Sequence, residues 1–167
     1  MKKILALMVL CTLSMSVSAQ EVDSLQSESV SIDSLATKLD KLQHDYDYLY
    51  CDYELSRVEY KLENLSNQTR MSANSLLISS YHGRFDADLY IVHRDSYNTF
   101  NSFCDAMKDI VITTQILISL KIISCNFTEE EKDLLRDRSS GLDRYVVSAE
   151  SALRLYESVI DVYRDSK

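Results

Sequence analysis

Across 167 residues the chain contains no proline and only two glycines, Gly83 and Gly141. Average usage would supply roughly eight Pro and about twelve Gly to a chain of this length. Proline breaks helix interiors, and glycine serves the backbone shapes that tight turns need. A chain nearly without either has few places to reverse direction, so long helices are the economical way to fold it. Its length suits one domain.

Apolar periodicity divides the chain into three segments. From Ile32 the residues Ile32, Leu35, Leu39, Leu42, Tyr46, Leu49, Tyr53 and Tyr60 alternate steps of three and four, a heptad stripe. Ser56 interrupts it, and a neighbouring stripe of Leu55, Val58, Leu62 and Leu65 is expected to take over. The first stripe is therefore expected to face the core or a seam, with the tyrosine hydroxyls reaching the edge. Gly83 stands where a helix end favours left-handed geometry. Asp86 then suits an N-cap, with Asp88 in the first turn. The second stripe is Leu89, Val92, Phe100, Phe103, Met107, Ile110, Thr114 and Leu117. Residues 110–120 carry no charge and are apolar on every side, which marks the most buried part of a central helix or a part that also meets a partner. Thr128 and Glu131 form a capping box that opens the third segment. Its stripe is Leu135, Leu142, Tyr145, Val146, Ala149, Leu153, Tyr156, Ile160 and Tyr163, with a kink or short break at Gly141.

These segments predict an all-α fold: an elongated up-down-up antiparallel three-helix bundle with coiled-coil-like packing. The helices fall at about 33–81, 86–125 and 129–165, within a bundle domain spanning 33–167. A shorter four-helix bundle, with the first helix broken near Asn67, is the alternative. With the first turn centred between Gly83 and Arg84, Cys51 lies level with residue 116 of the second helix. That leaves it nine residues from Cys125 and twelve from Cys104, roughly 13 and 18 Å at the helical rise. A disulfide needs Cα atoms within about 7 Å, so no intramolecular bridge is expected.

The first 19 residues read as a leader. Lys2 and Lys3 precede an apolar run from Ile4 to Leu13, and Val17-Ser18-Ala19 has the form of a cleavage site. This predicts a signal peptide over 1–19 and a periplasmic or extracellular protein with no transmembrane segment after cleavage. Leu10 before Cys11 argues against lipidation there. Residues 20–32 are Ser-rich and acidic, which predicts a flexible linker. Without the leader the net charge is −10. Nucleic-acid backbones and anionic membranes call for clustered Lys and Arg, so neither is an expected partner.

The sequence lacks a phosphate-binding glycine loop and the common hydrolase and metalloprotease motifs. No enzymatic activity and no cofactor are expected. His82, Asp86 and His93 are the one grouping of metal-ligand types, spread over the first turn and the start of the second helix. Tyr48 and Tyr50, interleaved with Asp47, form a candidate partner-binding patch, since aromatic side chains anchor interfaces. The function expected is that of an exported helical-bundle interaction or scaffold protein, a homo-oligomer with a protein partner of unspecified kind. A metal-binding bundle centred on His82–His93 is one alternative, and an inhibitor or immunity-type protein that blocks an enzyme is another.

One motif occurs twice before the bundle: Asp23-Ser24-Leu25 and Asp33-Ser34-Leu35. Asp-Ser followed by an apolar residue resembles the O-glycosylation sequon of exported Bacteroidetes proteins. The resemblance implies Ser24 and Ser34 as acceptors, while Asp33 or Ser34 also suits the N-cap of the first helix.

Overall fold

The structure, a computed structural model, describes residues 22–81 and 86–165, with side chains from Ile32 onward. The described residues form three α-helices packed against one another and contain no strand. Helix α1 spans Val22–Tyr81, α2 spans Ala87–Ser124 and α3 spans Glu129–Asp165. The predicted leader and Gly83 lie outside the described residues. Of the linker expected over 20–32, the backbone from Val22 onward belongs to α1, so Asp33 and Ser34 stand inside a helix rather than at its first turn. α1 also runs through Asn67 and α3 through Gly141 without a break.

The capping signals in the sequence act as read. The Asp86 carboxylate accepts from the backbone N–H groups of Asp88 and Leu89 at 2.9 and 3.2 Å. Thr128 and Glu131 cap each other: Thr128 Oγ1 accepts from the Glu131 N–H at 3.2 Å, and Glu131 Oε2 accepts from the Thr128 N–H at 2.8 Å. Each satisfies donors that a helix start leaves bare.

The chain divides into two units, one ending at Leu42 and one running Gln43–Lys167. In the second unit, polar links set the direction of the helices. His44 meets Glu131, Asp52 meets Arg138, and Ser66 meets Ser148, so α1 and α3 run the same way. Lys108 meets Glu150 while His93 meets Tyr156, so α2 runs against α3. Lys121 pairs with Asp47, one residue from the level expected from the first turn.

The core has two clusters. The larger joins Cys51, Leu55, Val58, Leu62 and Leu65 of α1 to Cys104, Met107, Val111, Ile118 and Ile122 of α2 and to Leu135, Leu142, Ala149 and Leu153 of α3. Phe127, between α2 and α3, closes it. The smaller joins Ala73 and Leu76 to Tyr156, Val159, Ile160 and Tyr163. The α3 stripe follows the sequence expectation closely. The α2 stripe is rotated: Cys104, Val111, Ile118 and Ile122 turn inward, whereas Val92 and Phe103 are exposed.

The largest departure is on α1. The heptad stripe expected to be core or seam stands outside the core. Ile32, Leu35, Leu39 and Leu42 in the first unit, and Tyr46, Leu49, Tyr53 and Tyr60 in the second, are 56–68 % exposed. The stripe expected only to relieve it, Leu55 through Leu65, supplies the core and is at most 3 % exposed. At about 100° per residue, Tyr53 and Leu55 point to nearly opposite sides of the helix. The second stripe does not take over on one face; it occupies the other.

Candidate functional site

The residues singled out from sequence do not converge. His82 lies outside the described residues. Asp86 spends its carboxylate on the α2 cap, and its backbone N–H donates to Tyr163 Oη at 2.9 Å. His93 is half-buried with Nδ1 2.6 Å from Tyr156 Oη, and burial pushes its pKa below the ordinary histidine value. Among the described residues, no group of three or more His, Cys, Asp or Glu side chains is placed to hold a metal ion.

The fold turns the predicted patch of Asp47, Tyr48 and Tyr50 at least partly inward. Asp47 is buried, receiving Gln43 Nε2 at 2.7 Å and Lys121 Nζ at 2.8 Å. Burial pushes its pKa up, but these donors outweigh it and hold the carboxyl below the usual range. Tyr48 is half-buried, with its ring edge-on to Phe127 at 6.1 Å. Tyr50 is half-buried beneath Lys121 Nζ, 5.7 Å from the ring centre. All three serve the packing of α1 onto α2 and the loop beyond it. Of the two acceptor candidates, Ser34 is exposed, and the Ser24 side chain lies outside those described.

The three described cysteines carry free thiols, Cys51 and Cys104 buried and Cys125 half-buried. Burial pushes the Cys51 thiol up to about 11 despite the nearby Lys121, so it stays protonated and unreactive at neutral pH.

Two surfaces do stand out. One is an open groove of about 550 Å³ between α1 and α3, where Gly141 leaves room between the helices. Arg70 and Arg144 line it, but so do Glu63 and Asp137. Arg138, also in its lining, is clamped to Asp52, Ser56 and Glu59 of α1. The lining mixes both signs of charge, and Arg138 ties α1 to α3 across it.

The other surface is the outward face of α1, where Leu49, Tyr53 and Tyr60 project from a helix whose opposite side is sealed. Tyr46 stacks on Tyr50 at 6.5 Å between ring centres, which steadies the start of the row. α2 has a second apolar row, Ile112, Ile116, Leu120 and Ile123, also exposed. That row accounts for the all-round apolar stretch in the sequence: α2 is buried on one side there and apolar but open on the other. Large exposed apolar patches are where proteins commonly make contacts. The α1 row was visible in the sequence as a heptad; its outward direction was not. Among the described residues no helix is long and apolar enough to cross a membrane. Comparison with protein-family models, curated proteins and solved structures returned no match.

Proposed function

We propose that this chain is an exported, non-enzymatic interaction or scaffold protein that works through the outward face of α1. The observation that carries the reading is the pair of faces on one helix. Leu55, Val58 and Leu62 close the core, and Leu49, Tyr53 and Tyr60 stand in solvent on the other side. Leaving large apolar and aromatic side chains in water forgoes about 1.5–3 kcal/mol apiece, a cost that a binding surface recovers on contact. Tyrosine suits that use, since its ring buries area while its hydroxyl tolerates water when the partner is absent. Export rests on the leader-like first 19 residues, and modification of Ser24 and Ser34 on the repeated Asp-Ser-Leu motif.

The test pairs location with contact. In the native host the protein should appear outside the cytoplasm with Gln20 as its first residue. Affinity capture from the envelope fraction should retain a partner with wild-type protein and lose it with Tyr53→Glu, while circular dichroism stays unchanged. A cytoplasmic protein with an intact amino terminus would remove the export half. Capture indifferent to Tyr53→Glu would remove the contact half. Intact mass decides the glycan: a mass above that of the polypeptide, falling in Ser24→Ala or Ser34→Ala, supports it.

A further inference from the structure

We infer that the outward face of α1 binds a second copy of this chain, α1 against α1, as a parallel in-register two-stranded coiled coil. The inference builds on the interaction reading above and names the partner for that face. Three observations carry it.

The first is the width of the stripe. A helix packed into a globular core shows a broad apolar face, whereas a strict a/d row is the narrow seam of a coiled coil. Taking Ile32 as position a, the a positions are Ile32, Leu39, Tyr46, Tyr53 and Tyr60, and the d positions are Leu35, Leu42 and Leu49, with Ser56 closing the run. The flanking e and g positions are mainly polar or charged: Gln43 and Arg57 among the e residues, Lys38, Asp45, Asp52 and Glu59 at g. A seam this narrow accommodates one partner helix. An identical heptad is the surface that matches it layer for layer.

The second is area. The a/d side chains from Ile32 to Tyr60 are all more than half exposed. Eight such side chains at roughly 100–150 Å² each supply about 1,000 Å² per chain, above the ~800 Å² per partner of a standard stable interface. In the unit ending at Leu42, the residues from Ile32 onward are all exposed. Helices draw most of their stability from packing an apolar face, and a second copy provides that packing.

The third is charge. In a parallel pair each g residue meets the e residue five positions on in the other chain. Those pairs are Lys38 with Gln43, Asp45 with Tyr50, Asp52 with Arg57, and Glu59 with Asn64; none sets like charges together, and within the chain Asp52 and Glu59 already pair with Arg138 and Arg57 with Glu54. An antiparallel pair opposes the g rows instead: the register that brings Lys38 against Glu59 of the other copy also brings Asp45 against Asp52, a repulsion that the parallel pair lacks. Ser34, at position c, faces away from the seam, so a glycan there is compatible with pairing.

Sedimentation equilibrium and thiol trapping test the inference on the purified protein. Wild type should run at twice the chain mass. Leu49→Glu and Tyr53→Glu should return it to the single-chain mass with an unchanged helical spectrum. Ile116→Glu, on the exposed row of α2, should leave the double mass intact. In a Cys125→Ser background, Leu49→Cys should form an interchain disulfide under mild oxidation, because d meets d only in a parallel in-register pair. A single-chain mass at all concentrations overturns the inference, as does a trimer. A double mass that survives Leu49→Glu but not Ile116→Glu moves the interface to α2 and overturns it too. Cross-linking only when Tyr46→Cys and Leu49→Cys are combined overturns the parallel arrangement. If the protein is a single chain yet Tyr53→Glu abolishes envelope capture, the interaction reading stands and this inference alone falls.

Discussion

Thr69 is fully buried on α1 with its hydroxyl oxygen lacking a hydrogen-bond partner. An unpaired buried polar group costs about 1–3 kcal/mol, so Thr69→Val should raise unfolding stability by about 1 kcal/mol, read from the urea midpoint. An unchanged midpoint would mean that the hydroxyl is satisfied. Another buried polar contact gives the protein a pH dependence. Burial lowers the pKa of His93 from its ordinary 6.5. As pH falls past that value the unfolded chain takes up a proton that the folded chain refuses. The stability is fully present above about pH 6.5 and is lost as pH falls through the lower folded value. His44 works in the opposite sense. Its hydrogen bond to Asp45, with help from Glu131 and against burial, raises its pKa, so its contribution is present at low pH and lost as pH rises through the raised value. Comparing wild type with His93→Gln isolates the first effect: melting temperatures between pH 5 and 7 should fall more steeply with acid in the wild type. Parallel curves would contradict the buried-histidine account.

The elements themselves were mostly legible. The scarcity of Gly and Pro, the Asp86 cap and the Thr128–Glu131 box located the helix ends of α2 and α3 to within a residue or so, because capping is local chemistry. The inward face of α1 was not legible. Its two heptad stripes, through Leu49 and Tyr53 on one side and through Leu55 and Leu62 on the other, have equal claim on a core. Periodicity reports that a face is apolar, not what covers it. The longer stripe reads as the inward one, and the packing of α2 and α3 selects the other. The burial of Asp47 was not legible for a related reason: Asp47 and Lys121 lie 74 residues apart, and nothing local announces their pairing. A kink or short break was expected at Gly141; the helix runs through it unbroken, with open space where a side chain would be. Gly141→Ala should therefore stabilise the protein by about 0.5–1 kcal/mol, the helix-interior difference between the two residues, measured by chemical denaturation. A destabilised variant would mean that α3 needs the glycine's freedom there.

For the whole molecule, the two faces of α1 divide folding from association. One row is consumed by the bundle, and the other, exposed, is the one inferred above to join a second chain. The division predicts different behaviour from two chemically identical truncations on the same helix. Leu55→Ala removes a fully buried side chain and should cost about 2–5 kcal/mol at every protein concentration. Leu49→Ala removes an exposed one and should matter only through association. The most direct measurement is the urea midpoint of wild type, Leu55→Ala and Leu49→Ala over a hundredfold range of protein concentration. The account predicts a wild-type midpoint that rises with concentration, a Leu55→Ala midpoint depressed throughout, and a Leu49→Ala midpoint that meets the wild type when dilute and falls behind it when concentrated. A wild-type midpoint independent of concentration, with Leu49→Ala and Leu55→Ala equally destabilised, would contradict it.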